Sequence, residues 1–330
     1  MRVFVAGASG AIGTRLVPQL IERGHEVIGS SRSPDKAERL RALGAEPVAL
    51  DLLDARAVRK AVLEAEPEAI VHEATALANL RFSRNFDRVF AQTNRLRTEG
   101  TDALLAAARE AGVRRFVAQS YASARYMREG GVAKSEDDPL DPTPVRNARE
   151  SQAAMRHVDE AVTEAGGIAL RYGAFYGASN DGLVEPVRKR QFPIIGKGGG
   201  VTSFIHLDDA AAATVLALER GKAGIYNIVD DEPAPAREWL PVLAEALGAK
   251  PPRHFPRWLA RLFAGEFVVL MGTESRGASN AKAKRELGWE LRYPSWRQGF
   301  VAAYSSTAPA ERRRPAQGAR ASDPHSRLST

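Results

Sequence analysis

The chain has 330 residues, 44% hydrophobic and 26% charged, with a formal net charge of +7 and no cysteine. That balance fits a soluble globular protein with one large core or two modest ones. Without cysteine, disulfides, thiolate nucleophiles and cysteine-ligated metals are excluded, and no metal site is expected. The positive charge does not point to nucleic acid. In "SSTAPAERRRPAQGARASDPHSRLST", from Ser305 onward, five Arg against one Glu and one Asp account for +3 of it. The remainder is scattered without a basic block or a nucleic-acid motif.

The chain opens "MRVFVAGASG", which turns glycine-rich before a signal-peptide hydrophobic region develops. No apolar run approaches the roughly 20 residues of a membrane-spanning helix. A cytoplasmic protein that contacts neither membrane nor nucleic acid is expected.

In chain order, "RVFVAG", "HEVIGS", "EPVAL", "EAIVHEA" and "RFVAQS" read as strands. Longer segments such as "AIGTRLVPQLIER" and "TDALLAAAREAG", with apolar residues at helical spacing, fall between them. An amphipathic helix, "RESQAAMRHVDEA" (149–161), precedes a sixth strand, "GIALRYGAFYG". Such alternation predicts an α/β fold, a doubly wound parallel sheet with helices on both faces. After Tyr176 the loops lengthen, and short strands such as "FPIIG" and "GIYNIV" are interspersed with helices. The expected division is a nucleotide-binding core over 1–176 and a smaller substrate-side region over 177–304, interleaved with the core. Residues 305–330 lack hydrophobic periodicity and read as a disordered tail.

"VFVAGASGAIGTRL" places Gly7, Gly10 and Gly13 directly after the first strand and at the start of the first helix. This context suits a tight turn whose backbone, through Ser9, Ala11 and Ile12, approaches a pyrophosphate at a helix N-terminus. The end of the second strand selects the cofactor. An acidic residue there would bind the ribose 2′-hydroxyl of NAD. The chain instead has Ser30, Ser31 and then Arg32, which suits the 2′-phosphate of NADP. NADP(H) is therefore preferred and NAD(H) is the alternative, with a merely solvated Arg32 as the plain reading. Asp51, with Leu52 beside it, can accept from the adenine amino group, although Asp51 or Asp54 could equally cap a helix. Ala74, Thr75 and Ala76 are small enough for backbone to pass close to a cofactor.

Taken with "DLLD", "QTNRLRTEGTDALLAAAREAGVRRFVAQS", "LRYGAFYG", "FIHLDDAAAA", "YNIVDDEP" and "AKRELGW", the chain resembles an extended or atypical short-chain dehydrogenase/reductase. The similarity, over roughly residues 1–300, is to the NAD-dependent epimerase/dehydratase family. It implies a Rossmann-type core. It also implies that Asn94 supports the cofactor-side helix, that Ser120 lies beside the nicotinamide, and that backbone at Tyr172, Gly173, Ala174 and Phe175 contacts the nicotinamide end.

Members of that family usually carry Tyr-x-x-x-Lys on the helix before the sixth strand. Here the helix holds neither residue. If Glu160 is the family's downstream acid, the Tyr and Lys places fall at Gln152 and Arg156; one residue earlier they fall at Ser151 and Met155. Gln cannot replace a tuned phenol, and Arg does not relay protons at neutral pH. Arg156 could still hold the nicotinamide ribose. The candidate catalytic residues are then Ser120, to bind the substrate oxygen, and Tyr121 or Tyr126 as acid. Helical phase turns His157 away from the pocket. Tyr172 and Tyr176 line the pocket or the core, Asp208 and Asp209 read as helix caps, and His206 as packing.

These readings favour an NADP-preferring oxidoreductase of a small or medium organic substrate, with a homodimer left open. Sugar-nucleotide epimerase or dehydratase chemistry is the alternative within the family. From another class, the rival is a non-catalytic protein that senses the NADP/NADPH ratio.

Overall fold

A computed structural model describes residues 1–77, 84–178 and 182–305. Strands β1 (Arg2–Ala6), β2 (Glu26–Ser31), β3 (Glu46–Ala49), β4 (Ala69–His72) and β5 (Arg115–Tyr121) match the first five expected ones. Two more, β6 (Ile168–Tyr172) and β7 (Gly224–Ile228), complete a sheet of order β7-β6-β5-β4-β1-β2-β3. Every pairing is parallel.

The strand "GIYNIV" of the later region joins the main sheet, where Gly224 to Ile228 pair with Ile168 to Tyr172 as the seventh strand. A short apolar run does not say which sheet it joins. One expectation is corrected: the sixth strand, read through "GAFYG", stops at Tyr172. A Cβ at Gly173 would lie 2.7 Å from the Ser203 carbonyl oxygen, so the chain crosses another segment there. Beyond it, Ala174–Tyr176 pairs with Phe204–His206 in a two-stranded sheet.

Helices α1 (Gly13–Glu22), α2 (Ala37–Ala42), α3 (Ala55–Ala65), α4 (Phe86–Arg95), α5 (Thr101–Glu110) and α6 (Arg149–Glu164) alternate with the strands. A π-helical turn, Leu96–Gly100, joins α4 to α5. After β6 come α7 (Val184–Arg188) and α8 (Leu207–Arg220).

Side chains alternate across a strand, and β1 divides accordingly. Val3 and Val5 pack with Leu16, Val17 and Leu20 of α1 and with α8 residues including Leu218. Phe4 and Ala6 pack on the opposite face with Val58, Val62, Leu104, Val158 and Val162. Each buried Val, Leu or Phe side chain contributes about 1.5–3 kcal/mol, which fixes the strand's orientation. A third cluster around Phe204, Trp239, Leu240, Trp296 and Phe300 forms the core of the smaller region. Among the described residues no helix is long and apolar enough to cross a membrane. The tail read as disordered lies, from residue 306, outside the described residues.

Candidate functional site

From β1 the chain runs outward to β2 on one side, while β4 pairs with β1 on the other. That reversal opens a crevice at the carboxyl ends of β1 and β4, the usual ligand position in such sheets. The glycine turn occupies it. Gly7 has φ +86°, and a Cβ there would lie 2.7 Å from the Ala74 backbone. At Gly13 a Cβ would lie 2.3 Å from the Ala8 carbonyl oxygen. These two glycines shape the turn, whereas at Gly10 the nearest neighbour, the Gly7 oxygen, is 3.1 Å away.

No side chain caps α1 and its first turn holds no acid, so the helix N-terminus faces the crevice without an internal anion. A dinucleotide pyrophosphate fits this arrangement, with Ser9, Ala11 and Ile12 supplying backbone between the glycines. Gly7 N–H donates to Ser30 Oγ (3.3 Å) and Ser9 Oγ to Ser31 Oγ (3.0 Å), which ties the turn to the end of β2. Arg32 follows, exposed to solvent. Asp54 is the helix cap, accepting from Arg56 N (3.0 Å) and Ala57 N (3.1 Å). The Asp51 carboxylate accepts from Leu53 N (3.0 Å) and its carbonyl from Asp54 N (3.1 Å); the residue stays exposed, while Leu52 is buried. Ala74, Thr75 and Ala76 are half-buried at the mouth, and Ala76 N–H donates to Thr93 Oγ1.

Of the two adjacent acids near the end of α6 only one is buried. That acid is Asp159, 2% exposed, not Glu160, which faces solvent. Asp159 Oδ2 accepts from Arg171 Nε (2.9 Å) on β6 and from Arg125 Nη2 (2.8 Å) after β5. Counting back on the same face gives Met155 and Ser151, both buried. Gln152, Arg156 and Glu160 lie one residue, about 100°, around the helix and line a groove with Pro142 and Pro144. Arg156, the expected Lys place, therefore lies off the buried face; its guanidinium points to the Asp141 carbonyl (3.4 Å). Gln152 donates to the Ala124 carbonyl (3.0 Å). Ser151 Oγ donates to Asp87 Oδ1 (2.7 Å) and accepts from Asn94 Nδ2 (3.1 Å), so Asn94 links α4 to α6.

Ser120 is buried at the end of β5 and accepts from Arg125 Nη1 (3.1 Å). Tyr121 beside it is half-buried. Burial raises its phenol above the ordinary range, offset in part by Ser123. Tyr126 is buried, donating to Asn227 Oδ1 (2.9 Å) and accepting from Arg171 Nη1 (3.2 Å). Its phenol is likewise raised by burial, with Arg171 opposing. Burial alone would raise Asp159, but Arg125 and Arg171 outweigh it and hold the carboxyl below the usual range.

Several polar residues of this region escaped sequence reasoning. Arg97, on the π-helical turn, is 6% exposed, and its Nε is buried without a hydrogen-bond partner among the described residues. Burial and then Arg125 lower its guanidinium to about 10. Glu73, directly after β4, is 5% exposed and raised by burial to about 8, against the hydrogen bond from Tyr172. Tyr172 Oη donates to Glu73 Oε1 (2.9 Å) and lies 2.6 Å from Thr214 Oγ1, so its ring belongs to the core. Gly173, Ala174 and Phe175 follow at the strand end. Nothing in local periodicity announced Arg97, Glu73 or Arg125; "LRY" alone could have flagged Arg171, through the resemblance.

His157 bonds Asp102 (2.7 Å) at the surface, away from the crevice. His206 packs against Tyr176 and Tyr293 and caps α8 by accepting from Asp208 N (3.1 Å). Asp209 is therefore not a cap; it accepts from Arg292 N (2.8 Å) and Tyr293 N (2.9 Å) and pins the later chain to α8.

Comparison with known proteins agrees with this architecture. A 3-diazoavenalumate denitrifying reductase of a Streptomyces species is 44% identical, covering 91% of this chain and 99% of that protein. A Stigmatella aurantiaca 4-hydroxy-2-methyl-3-oxo-4-farnesyl-3,4-dihydroquinoline-1-oxide ketoreductase is 30% identical over 76% of this chain and 74% of its own. Among solved structures, Thermus thermophilus UDP-glucose 4-epimerase in complex with NAD matches with a TM-score of 0.69 and 27% identity, covering 92% of this chain and 98% of that one. Residues 3–229 match the model of the NAD dependent epimerase/dehydratase family. With its parallel seven-stranded sheet and glycine cradle, the chain belongs to that family.

Proposed function

We propose that the protein is an NADPH-preferring reductase that delivers hydride to a small or medium organic acceptor without a proton relay on α6. The observation that supports this reading is the buried face of that helix, where Ser151 and Met155, four residues apart, provide neither a tyrosine nor a lysine. Ser151 is spent on Asp87 and Asn94, and Met155 has no ionisable group. Bound NADPH would supply the hydride. The chain's own residues hold the pyrophosphate at the glycine turn, the 2′-phosphate at Arg32, and the nicotinamide end near Ser120 and the Tyr172–Phe175 backbone.

An acceptor suited to such a site needs no proton in the bond-making step. A diazo carbon meets that requirement: it takes hydride with its electron pair, and the C–N pair departs with dinitrogen. The 44% identical relative is named for a denitrifying reduction of a diazo compound, which supports this acceptor class. A second reading, carbonyl reduction, is favoured by the 30% identical ketoreductase. There Tyr121 is the phenol to protonate the oxygen, because the Tyr126 proton is committed to Asn227.

The test is NADPH oxidation with an ortho-diazophenol and with a panel of ketones. With nicotinamide-deuterated NADPH, deuterium should appear on the carbon that lost nitrogen. No NADPH consumed with either acceptor class would overturn the reductase reading and leave the sensor.

A further inference from the structure

The cluster beside Ser120 contains more positive charge than it neutralises. Among the described residues Asp159 is the only carboxylate hydrogen-bonded to Arg125 and Arg171, and its Oδ2 serves both. Glu136, whose Oε1 accepts from Asn227 N (2.6 Å), adds a half-buried carboxyl on the Arg171 side. Arg97 has neither. Its Nε is buried with no partner, and its charge is felt by Arg125, Asp159 and Tyr121. His72 behind it is held neutral by burial, its pKa lowered to about 4, and offers no compensation.

An unpaired buried guanidinium costs stability, so a fold keeps one where a ligand completes it. The π-helical turn that presents Arg97 is itself an unfavourable departure from α geometry, of a kind frequent at functional sites. This turn packs against α6, the helix that holds Met155 in place of a cation.

We propose that Arg97 is the receptor for an anionic oxygen of the organic substrate, conjugated to the carbon that receives hydride. Hydride addition to a neutral ortho-diazophenol, in its oxo-diazo form, with loss of dinitrogen places one negative charge on that oxygen and needs no proton. A guanidinium already fixed and desolvated at that oxygen stabilises the charge as it develops. The inference deepens the reductase reading, but its test reads a bound phenol rather than turnover, so either can fail alone.

The probe is 4-nitrophenol bound to the NADP⁺-loaded full chain, with 4-nitroanisole as the neutral control. In the native protein the bound phenol should ionise at least ten-fold more readily than in water, read as phenolate absorbance against pH. Arg97→Met should abolish that shift and Arg97→Lys should restore part of it. Arg97→Met should melt no lower than native, whereas a merely structural arginine would leave a less stable protein. An unshifted or unbound phenol in the native protein overturns the proposal. A ten-fold loss of NADPH affinity in Arg97→Met with the phenol shift intact also overturns it, by assigning the guanidinium to the cofactor's phosphates.

Discussion

Asp159 on α6 and Arg171 on β6 form a buried ion pair, 2.9 Å from Oδ2 to Nε, that holds the helix in register against the strand. The same carboxylate oxygen takes Arg125, so the segment after β5 is tied to both elements at one point. Which helix residues reach the crevice follows from this contact. It places Ser151 and Met155 inward and turns Gln152 and Arg156 into the outer groove.

Removing the carboxylate should therefore be costly. Asp159→Ala would leave two buried guanidiniums facing each other, and should destabilise the fold by about 3–5 kcal/mol. Because the folded carboxyl is held below its ordinary range, its contribution is present above the unfolded pKa and is lost as pH falls through the folded value. Denaturant titrations from pH 3 to pH 7 should show an acid-limb loss in the native protein that Asp159→Asn lacks. Equal acid limbs would mean that the pair adds nothing.

Glu73 should give the opposite slope. Its carboxyl is raised by burial to about 8, so the folded state favours the protonated form. Its contribution is fully present below the ordinary glutamate pKa and is lost as pH rises toward about 8. Glu73→Gln keeps an oxygen for the Tyr172 hydroxyl without the ionisation. The variant should match native stability near pH 5 and exceed it at pH 9, by on the order of 3–5 kcal/mol. A native protein no less stable than the variant at pH 9 would show that the carboxyl finds a charge partner.

The glycine turn and five strands were legible because their signals are local: close-packed glycines at fixed spacing and β-branched runs between helical segments. The register of α6 was not. Asp159 and Glu160 are adjacent acids, and only tertiary contact with Arg125 and Arg171 distinguishes the buried one. The same limit hid the partner of β7, which lies 56 residues earlier, at Gly224 against Ile168. Arg97 was invisible for a related reason, since an arginine on a polar helix reads as solvated until its burial is known.

Arg32 tests the cofactor preference. Its exposed position after Ser31 suits a 2′-phosphate, and losing a charge-assisted contact should cost about 1.5–3 kcal/mol. Calorimetry should show NADPH bound more tightly than NADH, with the order reversed in Arg32→Asp. Equal affinities in the native protein would leave Arg32 as a solvated loop residue.

Two glycines of the cradle should respond differently to substitution. At Gly13 a Cβ meets backbone at 2.3 Å, so Gly13→Ala should disturb the fold itself. At Gly10 the contact is 3.1 Å and φ is outside the left-handed region, so Gly10→Val should fold while its side chain obstructs the pyrophosphate. Melting temperature and NADPH titration separate the two. Native NADPH affinity in folded Gly10→Val would place the nucleotide elsewhere.

The absence of a relay on α6 predicts how turnover depends on protons. With an ortho-diazophenol, the hydride step requires no acid, so a single-turnover rate at saturating NADPH should be flat from pH 6 to pH 7, below the ionisation of Glu73 and Arg97. Over that range the substrate's own ionisation is constant. The solvent deuterium isotope effect should be close to unity. Gln152→Ala should stay within a few-fold of native, since that side chain reaches only the Ala124 carbonyl. Tyr121→Phe should do the same with the diazo acceptor, yet lower any ketone reduction by roughly 10²–10⁴-fold, the usual contribution of a positioned acid. A large loss in Tyr121→Phe with both acceptors would make the phenol an obligatory acid. A pH-dependent diazo rate, abolished by Gln152→Ala, would instead return the chemistry to the outer stripe of α6 and undo the register argued from Asp159.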